Sequence, residues 1–246
     1  MPISHDSSRP LTRRGFLNLA AAGAATAALS ACSTVSGGGQ FVQAPQIVPP
    51  TPTIDPAFGD YVNMYGPVSD EGYEVPGIPV KKVKPQFLRQ IVADPTGERP
   101  GTLVVDTSTH VLYLGRENGQ AIRYGVGLGR AGFAWQGRAV IQWKRKWPKW
   151  TPPDDMIGRQ PELEKYSVRN GGMAPGLNNP LGARALYIFQ NNEDTLYRVH
   201  GSPEWWTIGK SVSSGCVRLM NQDIIDLYDR VPSKTPILVT NGLGMA

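Results

Sequence analysis

Beyond residue 100, the apolar residues occur in short runs rich in β-branched side chains, and this pattern restricts the chain to a sheet-rich fold. Short apolar runs bounded by turn residues are typical of β-strands, whereas helices need longer segments with a helical period. The dipeptide Asn118-Gly119 separates two such runs, at 110–117 and 120–129. Asn and Gly both adopt the positive φ angles of a type I′ turn, so we expect a β-hairpin here.

Helical signals are few in the same region. Apolar residues recur with helical spacing at 222–231, after the candidate N-cap Asn221. A second short helix is expected around 85–92. The segment 148–182 is rich in breaker residues and too long for a plain connection, so it is a candidate binding loop or lid. Together these patterns predict a mainly β, β-sandwich-like domain with one or two short helices.

The N-terminus, residues 1–31, has the features of an export signal. The pair Arg13-Arg14 precedes an apolar run at 20–29 that is too short to span a bilayer. The arginine pair resembles a twin-arginine signal, and the Leu-Ser-Ala run before Cys32 resembles the lipobox of bacterial lipoproteins. We therefore expect export to the periplasm or cell envelope and lipidation of Cys32. Cleavage by an ordinary signal peptidase near this position is the alternative.

Changes in composition divide the rest of the chain into three parts. Residues 32–56 are rich in Gly and Pro, which predicts a tether that is partly flexible and partly extended. Residues 57–100 are mixed and predict an irregular lead-in segment that packs on the following domain. Residues 101–240 carry the strand patterns and predict that domain.

The net charge does not indicate a nucleic-acid partner. The formal charge is +5, and the predicted signal contributes three arginines and one aspartate, which leaves +3 for the rest. Lysines and arginines at 144–149 alternate with Trp143, Trp147 and Trp150. We interpret this cluster as a solvated strand face, and a groove for an anionic polymer is the alternative.

The use of cysteine indicates chemistry at Cys216. The chain has two cysteines, and acylation or removal of Cys32 leaves Cys216 without a disulfide partner. A lone thiol in an oxidising compartment is a hazard, so its presence suggests a reactive role. The alternative is a small buried core residue.

A histidine and a glycine turn accompany this thiol in the sequence. His200-Gly201 ends an apolar run, and Cys216 lies in the segment SSGCVRL at 213–219. An imidazole can take the proton of a thiol or stabilise its thiolate. Glycine before the nucleophile lets backbone N–H groups face a developing oxyanion. The charge of Arg218 would lower the thiol pKa and could grip a substrate carboxylate.

These segments together resemble the signature of the L,D-transpeptidase catalytic domain, the YkuD-type family. That family carries His-Gly, a spacer of about this length, and then Ser/Thr-x-Gly-Cys-Val/Ile-Arg. The segments NPLGARALY at 179–187 and YRVHG at 197–201 are also similar to family segments. The resemblance covers about residues 101–240 and implies a catalytic domain there.

The resemblance implies a role for each residue of the motif. Cys216 is the nucleophile and His200 its base, and the backbone carbonyl of Gly201 orients the imidazole. The backbone N–H groups of Ser214, Gly215 and Cys216 form the oxyanion hole. Some family members have a histidine where this chain has Ser214.

The implied reaction is acyl transfer in the cell wall. A peptidoglycan stem tetrapeptide acylates Cys216 and releases D-alanine, and Arg218 and Ser213 bind the substrate. The acceptor is another stem (a crosslink), an amine of an envelope protein (anchoring), or water (an L,D-carboxypeptidase). The sequence does not choose among these acceptors.

Two other classes of function are considered. A lipoprotein that only binds peptidoglycan is disfavoured, because a binder has no need of a thiol beside an imidazole. A cytosolic-type thiol hydrolase is disfavoured by the export signal. No cofactor and no metal site is expected, because Cys216 and His200 have no further cysteine or clustered histidine nearby. The expected partners are peptidoglycan stem peptides, envelope proteins as acceptors, and the membrane through the lipid anchor, with no nucleic acid.

Overall fold

The computed structural model describes residues 60–129, 136–213 and 215–243. Several predicted features lie outside the described residues: the export signal (1–31), Cys32, the tether (32–56) and Ser214. In the part of the chain that the structure describes, no helix is long and apolar enough to cross a membrane.

The described ranges form thirteen β-strands and three short α-helices. The strands are β1 (Val68–Asp70), β2 (Tyr73–Val75), β3 (Gln90–Ala93), β4 (Leu103–Asp106), β5 (Val111–Gly115), β6 (Gln120–Gly125), β7 (Leu128–Gly129), β8 (Gly137–Lys146), β9 (Arg184–Gln190), β10 (Glu193–Ser202), β11 (Ser211–Ser213), β12 (Val217–Met220) and β13 (Thr235–Thr240). The helices are α1 (Tyr61–Met64), α2 (Asp154–Arg159) and α3 (Asn221–Arg230).

Nine of the strands form one mixed sheet, in the order β12-β10-β9-β8-β13-β4-β5-β6-β3. Neighbouring strands are antiparallel except for β10 with β12 and β4 with β13, which are parallel. The sheet curls on itself, because Gly127, which follows β6, exchanges two backbone hydrogen bonds of 2.9 and 2.8 Å with Arg218 of β12. The prediction of a mainly β, sheet-rich domain is confirmed.

The main hydrophobic core joins side chains from both halves of this sheet to one face of α3. The helix contributes Ile224 and Leu227, Val231 follows directly after it, and all three are fully buried. Burying a side chain of this size contributes roughly 1.5–3 kcal/mol to stability. The same cluster contains Val199 of β10 and Val217 of β12, so α3 supports these two strands from behind.

The hairpin predicted at Asn118-Gly119 is present. β5 and β6 pair antiparallel, and Val111 lies opposite Gly125 while Gly115 lies opposite Ala121. Asn118 has a φ of 63° and Gly119 a φ of 67°, the left-handed values that a type I′ turn requires at both central residues.

The prediction of a short helix around 85–92 is wrong. A single 3₁₀ turn at Pro85–Phe87 is followed by strand β3, which pairs with β6. Ile91 enters the main core, whereas Val92 enters a second cluster on the opposite face of the sheet. A strand with alternate side chains buried on two faces stabilises this segment more than an isolated helical turn does.

The lead-in segment is bound to the rest of the domain by a buried polar network as well. The Tyr65 hydroxyl accepts a hydrogen bond from the Arg89 backbone at 2.6 Å and donates to Asp223 of α3 at 3.1 Å. The Arg89 guanidinium lies 2.8 Å from Asp226. These contacts connect the segment before residue 101 to the helix that supports the core.

Asn221 does not act as the expected N-cap. α3 begins at Asn221 itself, and its first turn has no side-chain cap. The Asn221 carboxamide oxygen instead accepts a hydrogen bond from the Ala183 backbone N–H at 3.0 Å. The side chain therefore connects α3 to the start of β9.

The long segment between β8 and β9 has secondary structure of its own. It contains α2 and two 3₁₀ segments, at Pro161–Tyr166 and Val168–Asn170. Trp150 and Met173 exchange two backbone hydrogen bonds of 3.1 and 2.7 Å. Its function as a binding loop or lid stays a prediction.

Candidate active site

Two neighbouring parallel strands bring the predicted residues to one face of the sheet. In the register of β10 and β12, Val199 lies opposite Val217 and His200 lies opposite Arg218. Both valines face the core. Because side chains alternate along a strand, His200 and Arg218 face the other side. Cys216 is two residues before Arg218, just ahead of β12, and its thiol has a hydrogen bond to the backbone of β10.

His200 is buried, with 4% of its surface exposed, and its ring is fixed by the next residue. Its Nδ1 lies 2.6 Å from the backbone oxygen of Gly201. A carbonyl oxygen is only an acceptor, so Nδ1 carries the proton and Nε2 keeps a free lone pair. Burial lowers the His200 pKa to about 4, the charges of Arg218 and Arg198 add to this effect, and the Gly201 hydrogen bond opposes it. The imidazole is therefore neutral at pH 7 and can accept a proton.

Cys216 is partly exposed and forms no disulfide. Desolvation raises the pKa of its thiol, while a hydrogen bond from the Arg198 backbone and the charges of Arg198 and Arg218 lower it. Sequence reasoning expected Arg218 to lower this pKa, and it does, but desolvation is the larger effect. Both groups are therefore neutral at pH 7, and a reaction that used this thiol as a nucleophile would need proton transfer to accompany the attack.

Gly201 and Gly215 occupy positions where a side chain would not fit. A Cβ on Gly201 would lie 2.8 Å from the Ile224 methyl group of α3 and would collide with the Asn221 carboxamide. Gly215 has a φ of 129°, which L-residues rarely adopt, and a Cβ there would lie 3.2 Å from the Tyr197 ring. The two glycines allow α3 to approach the histidine and allow the chain to turn directly before Cys216.

Arg218 is paired with an acidic residue that sequence reasoning missed. Its Nη1 lies 2.7 Å from Glu204 Oε2, and the Glu204 side chain is 45% exposed. Glu204 lies in the connection between His200 and Cys216, so its position in the chain was the available signal. The charge beside the site is therefore partly neutralised, and a substrate carboxylate would meet an arginine that already has a partner. Ser213, the other residue expected to bind substrate, is the last residue of β11.

A row of stacked side chains extends from the thiol across β10, β9 and β8. Arg198 lies 4.3 Å above the Tyr187 ring, and Tyr187 stacks on Trp143 at 3.6 Å. Arg145 lies 5.4 Å from the Trp143 ring. We call these four residues the aromatic–arginine row. Its inner end, Arg198, is also held by two hydrogen bonds to Asp194, of 2.6 and 2.7 Å.

The basic cluster at 144–149 does not form one uniform solvated face, and a groove for an anionic polymer stays an untested alternative. Arg145 belongs to the aromatic–arginine row, whereas Lys144 points to the opposite face and donates to the carbonyls of Tyr228 and Val231 at 2.5 and 2.6 Å. Lys146 pairs with Glu71. Side-chain alternation along β8 splits the cluster between two faces. Within the described ranges, no group of three or more His, Cys, Asp or Glu side chains could hold a metal ion.

The comparisons with known proteins identify the family. The family model of the L,D-transpeptidase catalytic domain (YkuD) matches residues 100–239, and the chain belongs to this family. The resemblance read from the sequence motifs is thereby confirmed.

Individual relatives are more distant. The chain is similar to "Probable L,D-transpeptidase ErfK/SrfK" of Escherichia coli K12, with 30% identity over 152 residues, 59% of this chain and 45% of that protein. It is also similar to "Probable L,D-transpeptidase YbiS" of the same strain, with 30% identity, 56% of this chain and 43% of that protein. The match therefore spans less than half the length of these curated relatives. Among solved structures, a Brucella melitensis chain described as a "Probable carnitine operon oxidoreductase caia" is 44% identical, has a TM-score of 0.45, and is covered to 94% by 63% of this chain.

Proposed function

We propose that this chain is a peptidoglycan L,D-transpeptidase in which Cys216 is the nucleophile and His200 is its base. The observation that supports this most is the neutral imidazole of His200. The Gly201 carbonyl fixes its Nδ1. His200 lies on β10, which pairs with β12, and Cys216 directly precedes β12. Membership of the family supports a peptidoglycan peptide as substrate, and we take a stem tetrapeptide as the donor.

The first step joins the Cys216 sulfur to the carbonyl carbon that precedes the terminal D-alanine. The thiol proton passes to His200 Nε2, and the carbonyl oxygen becomes an oxyanion facing the backbone N–H groups of Ser214, Gly215 and Cys216. When the tetrahedral intermediate collapses, His200 returns the proton to the amine of the departing D-alanine. A thioester remains on Cys216.

The environment of His200 favours rapid return of this proton. A buried imidazolium beside two arginines is unstable, which is why the His200 pKa is about 4. The site therefore does not store positive charge on the histidine. Arg198 and Arg218 are each hydrogen-bonded to a carboxylate, Asp194 and Glu204 respectively.

In the second step an amine attacks the thioester, and His200 again accepts and returns a proton. A stem amine gives a crosslink, an amine of an envelope protein gives anchoring, and water gives the carboxypeptidase product. We place Arg218 and Ser213 at the carboxylates of the stem, which compete with Glu204 for the guanidinium.

The export features belong to the same proposal. A twin-arginine signal at 1–31, lipidation of Cys32 and a tether at 32–56 would hold the domain at a membrane within reach of the wall. Membrane fractionation of the Cys32→Ala variant tests this, because release of the protein is expected. Unchanged membrane retention would contradict lipidation.

Mass spectrometry of wall digests after incubation with the purified protein tests the function. We expect new crosslinked or amine-exchanged stems that have lost D-alanine, together with the identity of the acceptor. Cys216→Ala should form none of these products, and Lys149→Ala, an exposed substitution outside the site, should form them at the wild-type rate. Binding to wall material without any product from the wild type would support the non-catalytic alternative instead.

A further inference from the structure

A surface cavity of about 260 Å³ lies apart from the aromatic–arginine row, between the lead-in segment and the connection that follows β10. Aromatic rings and lysines line it. Its lining includes Phe87, Trp205, Trp206, Lys82, Lys84 and Lys210, and we call this cavity the tryptophan–lysine pocket.

The aromatic side of this pocket is built rather than incidental. Trp205 packs on the second hydrophobic cluster, and Phe87 is buried in it. The Phe87 ring lies directly against Gly209, where any Cβ would collide with it. Trp206 stands at a right angle to Trp205, with ring centroids 5.8 Å apart, and 52% of its surface is exposed. A fixed, open tryptophan face offers a stacking surface for a ring-shaped ligand.

The lysines on the charged side of the pocket form no ion pair with any described residue. Lys82, Lys84 and Lys210 are exposed, and among the residues that the structure describes no carboxylate lies within 4.0 Å of their ammonium groups. Glu204, the acidic residue next to Trp205, is already paired with Arg218 at 2.7 Å. A tryptophan face and three ammonium groups that have no ion-pair partner within the described ranges line one pocket, and together they complement a ligand that carries both a ring and carboxylates.

The pocket lies next to the candidate active site along the chain. The 3₁₀ turn Trp205–Thr207 follows directly on Glu204, in the connection from β10 to β11. In the proposed reaction, the C-terminal end of the stem peptide lies at the Cys216 thiol. The sugar that carries the stem is attached at the other end of the peptide and therefore lies some residues away from the thiol. The pocket is concave, which fits a discrete sugar ring better than a flat lipid surface.

We propose that the tryptophan–lysine pocket binds the glycan part of the wall polymer, with a sugar ring stacked on Trp206 and the carboxylates of an adjoining stem facing the three lysines. This inference rests on the proposed function for the identity of the polymer. Binding and acylation are measured separately, so that failure of one is distinguishable from failure of the other.

The binding test uses the Cys216→Ala full chain, which cannot turn over its ligand, and isothermal titration with a disaccharide-tetrapeptide. Trp206→Ala should weaken binding about tenfold, as loss of a tryptophan contact commonly does. The triple variant Lys82→Gln, Lys84→Gln, Lys210→Gln should remove most of the salt dependence of binding. Two exposed substitutions elsewhere, Leu196→Ala and Lys149→Gln, are the matched controls and should leave binding unchanged.

The kinetic test compares the disaccharide-tetrapeptide with the free tetrapeptide as donors for the otherwise wild-type enzyme. Trp206→Ala should raise KM for the sugar-bearing donor about tenfold with kcat within twofold, and should leave the free tetrapeptide unaffected. Equal losses with both donors, or no loss with either, would overturn the proposal. The variants of the pocket are also tested with vesicles of phosphatidylglycerol. If they lose binding to the vesicles but bind the disaccharide-tetrapeptide as the wild type does, the pocket belongs to a membrane contact and the proposal is overturned.

Discussion

The environment of His200 predicts an unusual pH dependence of acylation. Burial and two neighbouring arginines lower the His200 pKa from 6.5 to about 4. At pH 5, a histidine with a pKa of about 4 is roughly 90% neutral, whereas one with an ordinary pKa of about 6.5 is roughly 3% neutral. Because only the neutral imidazole accepts the thiol proton, the acid limb of the acylation rate should follow the lower value.

The assay is quenched-flow mass spectrometry of thioester formation with a tetrapeptide donor, between pH 4 and pH 8. We expect the rate at pH 5 to exceed half of the rate at pH 7, and near-UV circular dichroism across the same range shows that the fold is intact. A rate that falls to a few per cent at pH 5, with a midpoint near pH 6.5, would refute the proposed environment of the base.

Three further predictions follow from the same contacts. Arg218→Ala should lower acylation roughly tenfold to hundredfold, as expected for loss of a charge-assisted hydrogen bond of about 1.5–3 kcal/mol, whereas Lys149→Ala should have no effect; equal losses would remove the special role of Arg218. A chain beginning at residue 60 should melt cooperatively. A chain beginning at residue 101 should not, because it lacks β3 and the partners of the buried carboxylates of α3. Similar thermal melts for the two chains would contradict this prediction. Burial raises the Asp223 pKa from 3.8 to about 7, so its protonated form stabilises the fold at low pH, and this contribution is lost as pH rises through 7. Asp223→Asn should therefore lose less unfolding free energy than the wild type between pH 4 and pH 8 in urea titrations, by about 4 kcal/mol, and parallel curves would contradict this prediction.

The local parts of the fold were predictable from the sequence because their causes are local. Asn118-Gly119 determines its own turn through backbone conformation, and alternating apolar residues determine strands wherever one face is buried. The segment at 85–92 was mistaken for a helix because its strand partner, β6, lies some thirty residues away in the chain and no local pattern indicates it.

Only those residues of the site that belong to a recognisable sequence motif could be predicted. His200, Gly201, Gly215 and Cys216 stand in a recognisable spacing. The parts that determine their electrostatics come from strand pairing and do not follow from spacing: Glu204 reaches Arg218 from a turn, and the row that ends at Arg198 depends on the register of three strands. The basic cluster at 144–149 illustrates the same point, because alternation along β8 sends its charges to opposite faces.

The role of Cys216 is tested most directly by intact mass spectrometry of the protein after incubation with a tetrapeptide donor and no acceptor amine. The thiol attack proposed here predicts a single acyl adduct that maps to Cys216 and is removed by hydroxylamine, as thioesters are. His200→Gln should form the same adduct far more slowly, since the base is lost and the sulfur remains. Cys216→Ala should form none while keeping its fold. An adduct on another residue, or an alanine variant that is acylated at the wild-type rate, would contradict the mechanism.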